Sequence, residues 1–254
     1  MIDESLEPLT VIRLLKEKVH NEAVLAFLSS WDNIIYSFIV AVLLTAVVCL
    51  GAKKREMIPS GLQNVLELGV EMLEHLILTI LGPQGMKYLP FLGTLFIYIL
   101  SMNLFGLIPL MQSPSSSINI TIAQAVTVFI LVQYLSIKQM GLKGFVYHLA
   151  GSPKGALQWC FVPLMFPIEL LTQISRPLTL AFRLFGNIFG EEVLIGYFAL
   201  LGATILPVIY PLAIPLQLPF LLFAIFTSTV QALVFTLLTT VYISLSIPEE
   251  SSEH

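Results

Sequence analysis

The chain has 254 residues, 57% hydrophobic and only 11% charged, with a mean hydropathy of +0.90 and a formal net charge of −4. Soluble domains carry about 25% charged residues, and no soluble fold of this size has enough interior to hide so much apolar surface. A disordered chain, a secreted disulfide scaffold, an ordinary cytosolic enzyme and a nucleic-acid binder are excluded, which leaves an all-α polytopic membrane protein.

Residues 1–30 are polar and mixed in charge, without the charged-then-apolar layout of a cleaved signal peptide. Asn33–Leu50 reads as a membrane span, with Trp31 at one end and Lys53-Lys54-Arg55 at the other, as interface residues should be. Cys49 and Cys160 lie in apolar surroundings and form neither a metal-ligand nor a disulfide pattern. In Gly61–Leu81, Glu67, Glu71, Glu74 and His75 recur at helical spacing among Leu and Val. That predicts an amphipathic helix, either at the membrane interface or with a solvated face.

No Asp, Glu, Lys or Arg occurs from Tyr88 to Ile137. A spanning helix needs about 20 apolar residues, so this gap predicts two, Pro90–Met111 and Ile118–Ile137, joined by the loop Gln112 to Ser117. Gln158–Tyr197 is too long for one upright span. About 40 residues make a helix about 60 Å long, against a hydrocarbon core of about 30 Å. It must break or tilt, and Pro163, Pro167 and Pro177 permit kinks. Ala203–Ser246 raises the same problem, with Pro207, Pro211, Pro215 and Pro219 at every fourth residue. The expected architecture is about five membrane helices, one interfacial helix and a C-terminal pair of long, steeply tilted helices. They form one membrane domain, 31–246, followed by an acidic tail, 247–254.

Orientation follows from Lys and Arg. With Lys53-Lys54-Arg55 in the cytoplasm, alternating crossings put Lys87, Lys138, Lys143 and Lys154 on the same side. The loops near Ser115 and Gly202 carry no basic residue. The positive-inside rule then places the N-terminus outside and the C-terminus in the cytoplasm.

Three more basic residues, Arg13, Lys16 and Lys18, lie in the N-terminal tail on the other side, and the last two of the twelve fall inside the membrane. Glu169, Arg176 and Arg183 are seven residues apart, nearly two helical turns, so they share a face of a continuous helix. Thr179 and Asn187 flank Arg183 at four residues on either side. Glu191 and Glu192 follow, and Glu192 turns roughly to the opposite side from Arg183. Each charge in the bilayer costs at least a few kcal/mol, so it needs a partner or water. Arg176 is read either as snorkelling to the interface or as part of an ion path, and Glu169 as its partner or as a separate station. Arg183 has no acid well placed in its own segment, and looks like a cation waiting for a carboxylate of another chain. Gln231, in Thr227-Ser228-Thr229-Val230-Gln231, and Asn103 and Asn119 read as interhelical hydrogen-bond formers when taken alone. There is no phosphate loop, no G-x-S-x-G and no H-E-x-x-H, so no nucleotide or metal cofactor is expected.

The run Ser175-Arg176-Pro177-Leu178-Thr179-Leu180-Ala181-Phe182-Arg183-Leu184-Phe185-Gly186-Asn187 resembles subunit a of the F-type ATP synthase. Further matches are 58–64 (IPSGLQN), 102–109 (MNLFGLIP), Pro114 to Asn119, 231–235 (QALVF) and 241–244 (VYIS). The resemblance covers roughly residues 30–246 and is strongest to bacterial members. It implies a stator subunit in the cell (inner) membrane that carries protons past a rotating c ring. It also implies peripheral-stalk b subunits and the remaining F0F1 subunits as partners, with lipid around them. Arg183 would face the ring, and Thr179, Asn187 and Gln231 would line the path around it. Glu169 would sit in a cytoplasmic half-channel, and Glu192, with Glu191, in an outer one. One position departs. Several members carry an ionisable group seven residues before the glutamine, and here that residue is Ala224. Glu191 or water would have to serve in its place. The rival reading is a secondary transporter, which would also show broken helices and buried charges; against it, the chain has no internal repeat.

Overall fold

Inside a bilayer, backbone polar groups must be paired within the protein, and each long apolar run accordingly folds as a helix. The computed structural model describes residues 22–52, 61–151, 156–209 and 216–246. Six α-helices follow one another among them: α1 (Glu22–Ala52), α2 (Leu62–Leu81), α3 (Leu89–Phe105), α4 (Ile118–Leu149), α5 (Ala156–Ile209) and α6 (Leu218–Ser246). Four contain apolar stretches long enough to cross a membrane: Trp31–Gly51, Ile118–Tyr147, Cys160–Gly202 and Leu218–Ser246. The shorter apolar α3 is the fifth candidate, with 17 residues. The chain is therefore an all-α, polytopic membrane protein. The basic cluster 53–55, Lys154, Pro211, Pro215, most of the polar segment 1–30 and the acidic tail lie outside the described residues.

Three boundaries differ from the sequence expectation. First, α3 stops at Phe105 rather than running to Met111. Pro109 lacks an N–H and disfavours helix at the residue before it. The chain instead turns back through Pro109 and Leu110, with Leu110 at φ 69° and Met111 N–H bonded to Ile108 O at 3.0 Å. Second, α4 continues beyond Ile137 to Leu149, bending at Gly141, where φ is 69° and ψ 164°. Third, α5 runs as one helix of 54 residues through Pro163, Pro167, Pro177 and Pro207. Its 43-residue apolar stretch, Cys160–Gly202, is about 65 Å long. To fit a core of about 30 Å it must lie about 60° from the membrane normal.

The core gathers around α3. Leu92, Ile99 and Met102 are fully buried, packed with Tyr36 of α1, Ile77 of α2 and Ala232, Phe235 and Ile243 of α6. Leu73 and Ile77 are the buried face of α2, while Glu67, Glu71 and His75 are exposed. On α6 the buried Thr236, Thr239 and Thr240 donate to the carbonyls four residues earlier, at 2.8–3.0 Å. That self-pairing lets hydroxyls sit in an apolar core without a partner helix. On α5, Leu180, Ala181, Leu184 and Ile188 are buried, and the opposite face is left open.

Candidate functional site

Helices α5 and α6 run antiparallel in one fixed register. Four side-chain contacts join them: Arg176 over the Tyr242 ring (5.3 Å), Asn187 to Gln231 (2.8 Å), Thr227 to Glu191 (2.9 Å), and Phe198 stacked on Phe220 (4.0 Å). In each pair the residue numbers add to 418, so all are rungs of one ladder. The spacing explains the two central rungs. Asn187 and Glu191 are four apart on α5, Gln231 and Thr227 four apart on α6, so each pair lines one side of its helix.

Asn187 donates through Nδ2 to Gln231 Oε1. Gln231 is buried, and its own Nε2 has no protein partner. Thr227 Oγ1 donates to Glu191 Oε2, while Glu191 Oε1 is buried and unpaired. Glu192 points elsewhere. Its Oε1 accepts from the backbone N–H of Ser113 at 2.8 Å. The segment 113–115 is fully buried, although its composition reads as a surface loop. Ser113 Oγ donates to Met102 O at 3.0 Å, tying the loop to α3. The approach depends on Gly106, where a Cβ would lie 2.5 Å from Ser113 Cβ. Among the described residues, Asn103 Oδ1, Ser115 Oγ, Gln124 Oε1 and Ser228 Oγ are also buried without a hydrogen-bond partner. Asn103 Nδ2 reaches Ser228 O at 3.4 Å.

Glu169 lies well apart from that cluster. It lines a cavity of about 140 Å³ with Gln133, Ser136, Gln173, Arg176 and Tyr242. Gln133 donates to Gln173 across it at 2.9 Å. Arg176 faces the Tyr242 ring, and among the described residues it forms no ion pair with Glu169.

Arg183 is exposed, and among the described residues it makes neither a hydrogen bond nor an ion pair. It sits two residues from the midpoint of the Cys160–Gly202 apolar stretch. Its surroundings on the helix are Thr179, Phe182, Gly186, Asn187 and Gly190, all exposed. Thr179 turns its hydroxyl back to Arg176 O at 3.0 Å. The structure thus brings together Asn187, Gln231 and Glu191, sets Glu192 under the Ser113 loop, and leaves Glu169 at a separate cavity. Asn119 is exposed and Asn103 buried.

A family model described as ATP synthase A chain matches residues 34–244, which include every one of these positions. The chain belongs to the ATP synthase A chain family. It is 56% identical over 229 residues to ATP synthase subunit a of Protochlamydia amoebophila, covering 90% of this chain and 84% of that one. It is 37% identical to the subunit a of Moorella thermoacetica, over 84% of this chain and 89% of that one. With that of Trichlorobacter lovleyi it shares 34%, over 95% and 98%. Membership implies the membrane sector of the synthase and a part in its proton translocation, as a subunit without catalytic chemistry of its own.

The structure adds residues that composition did not single out. Ser113 acts through its backbone, which no side-chain pattern reveals. Gln133, Gln173 and Tyr242 share the cavity with Glu169 only because α4, α5 and α6 converge there. The polar run at 227–231 was the one available signal for Thr227.

Proposed function

We propose that this chain is the stator of a rotary F-type ATP synthase, offering two half-channels to a c ring that turns against α5 and α6. The observation that carries the reading is Arg183: a permanent cation, exposed and unpaired, near the middle of an apolar span. A guanidinium facing lipid there costs about 2.5–3.5 kcal/mol even on the lenient insertion scale. A neighbouring protein surface carrying a carboxylate removes that cost. Gly186 and Gly190 on the same face have no atom within 4 Å of a Cβ position, so a partner helix can approach closely.

The outer half-channel leads past Glu192 and Glu191, and the buried, unpartnered atoms of Asn103, Ser115, Ser228 and Gln231 support that reading. Such atoms at membrane depth are tolerated where they line water. The inner half-channel is the Glu169 cavity. A proton from outside passes the two glutamates to a ring carboxylate, which then enters lipid neutral, without the desolvation cost of a charge. After nearly a full turn it reaches the Glu169 side. Arg183 favours release by stabilising the ring carboxylate as an anion. It does not pass the proton itself, because a guanidinium keeps its own. Each proton contributes about 2.3 kcal/mol per 100 mV, so several must act through one ring. Peripheral-stalk b subunits complete the stator. The N-terminus lies outside and the C-terminus in the cytoplasm, as the Lys and Arg distribution favours.

The test is ATP-driven acidification of inverted membrane vesicles carrying the whole complex. Arg183→Ala should abolish acidification at equal assembly, and Arg183→Lys should fail too, lacking the planar fork. Normal acidification in Arg183→Ala would make the arginine structural and remove the basis of the reading.

A further inference from the structure

Ala224 leaves the outer glutamates without an ionisable companion from α6, yet α6 does reach one of them. One turn further along, Thr227 Oγ1 donates to Glu191 Oε2 at 2.9 Å. The same hydroxyl lies 3.1 Å from two carbonyls of its own helix, Phe223 O and Ala224 O. A hydroxyl has one proton to give. It therefore has a charged acceptor on the neighbouring helix and neutral acceptors on its own. The charged one wins while Glu191 is ionised, because hydrogen bonds to an anion are roughly twice as strong. Once Glu191 is protonated the preference falls away, and the hydroxyl can turn to its own backbone at little cost.

Glu191 also occupies a particular place. It continues the row Arg183, Asn187, Glu191 at four-residue spacing, whereas Glu192 is turned away under the Ser113 loop. The Glu191–Thr227 rung is next to the Asn187–Gln231 rung. Glu191 Oε1 is free of protein partners, and so is Gln231 Nε2 one turn away.

We propose that Thr227 is the positioning residue of the outer half-channel, holding Glu191 as the last proton station before the ring and replacing the ionisable group absent at position 224. This rests on the stator reading above. Glu191 Oε1 takes one proton from the Glu192 side while Thr227 holds Oε2. The protonated acid then gives that proton to the ring carboxylate and returns to its anion, with Thr227 donating again. No net bond or charge is left on the chain. During ATP-driven pumping the same steps run in reverse.

The experiment measures the initial rate of ATP-driven vesicle acidification in the assembled complex. Thr227→Val removes the hydroxyl at nearly constant shape and should lower the rate about tenfold, the worth of one hydrogen bond to a charged group. Thr227→Ser keeps the donor and should pump as wild type. Glu191→Gln should be at least as slow as Thr227→Val, and the double variant no slower than Glu191→Gln alone, because the threonine acts only through the glutamate. Thr227→Ala provides the same comparison should valine impair assembly. Wild-type pumping in Thr227→Val or Thr227→Ala overturns the proposal. So does a serine variant as slow as valine, or a double variant slower by the product of the two single effects. Arg183→Ala in the same vesicles separates the two levels. If it is inactive while Thr227→Val pumps normally, only the role of Thr227 falls; if it pumps normally, the stator reading falls first.

Discussion

Replacing Gly106 by alanine should impair proton transfer through Glu192, a residue it does not touch. The added Cβ would lie 2.5 Å from Ser113 Cβ, 2.8 Å from Ser113 N and 3.0 Å from Ser113 Cα. Carbon atoms settle at about 3.5–4.0 Å, so the Ser113 backbone must retreat by about 1 Å. Its N–H donates to Glu192 Oε1 at 2.8 Å, and a retreat of that size takes the pair past the usual limit of about 3.2 Å. A hydrogen bond to a charged group contributes about 1.5–3 kcal/mol, which is a factor of about ten to a hundred. Gly106→Ala should therefore lower the rate of ATP-driven acidification by at least about tenfold in assembled complex. Gly93→Ala is the control on the same helix, since nothing lies within 4 Å of its Cβ position. Its pumping should be unchanged. Wild-type pumping in Gly106→Ala, or equal damage in Gly93→Ala, would refute the link between glycine, loop and carboxylate.

Two further outcomes follow from the remaining contacts. Gln231→Leu removes the acceptor of Asn187 Nδ2 and should slow pumping severalfold at equal assembly, the effect of about one hydrogen bond; a rate equal to wild type would make the rung a packing contact only. Ser136→Phe puts a ring into the cavity of about 140 Å³ beside Glu169 and should suppress pumping, whereas Ser136→Ala should leave it intact. If the two variants pumped alike, the cavity would not be on the proton's way.

The spans were legible because bilayer thickness sets a length that composition can meet or miss. The amphipathic helix α2 was legible because Glu67, Glu71 and Glu74 repeat with the helical period. Arg183 stood out because a charge in an apolar run is costly wherever the helix lies. Other features depend on contacts that no single segment encodes. The end of α3 follows from the turn at Pro109 and Leu110, which one proline inside an apolar run announces only weakly. The register of α5 on α6 is set by packing along their whole length. Without it, Thr227 is one more threonine able to bond its own helix, as Thr229 does to Ile225 O. The burial of the Ser113 loop contradicts its polar composition, because it is the carboxylate of Glu192 that draws its N–H inward.

The features that make this chain a poor solitary protein are the ones its function requires. Among the described residues, six of the buried polar atoms without a protein partner lie on Asn103, Ser115, Gln124, Glu191, Ser228 and Gln231. At about 1–3 kcal/mol each, leaving them dry would cost about as much as a typical domain's whole stability, about 5–15 kcal/mol. Water reaching them would remove that cost, as the proposed outer half-channel requires. Arg183 presents the complementary case. It is exposed although Leu180, Leu184 and Ile188 nearby on α5 are buried, and among the described residues nothing pairs with it. On the proposed stator reading, the carboxylate-bearing surface of the ring removes its cost. On that reading the carboxylates take the wetted side and the cation the side offered to the ring, with Asn187 and Glu191 in the row that joins them. A mobile acid on that partner can exchange a proton at one end of the row, and at the other end it meets a charge that keeps it ionised.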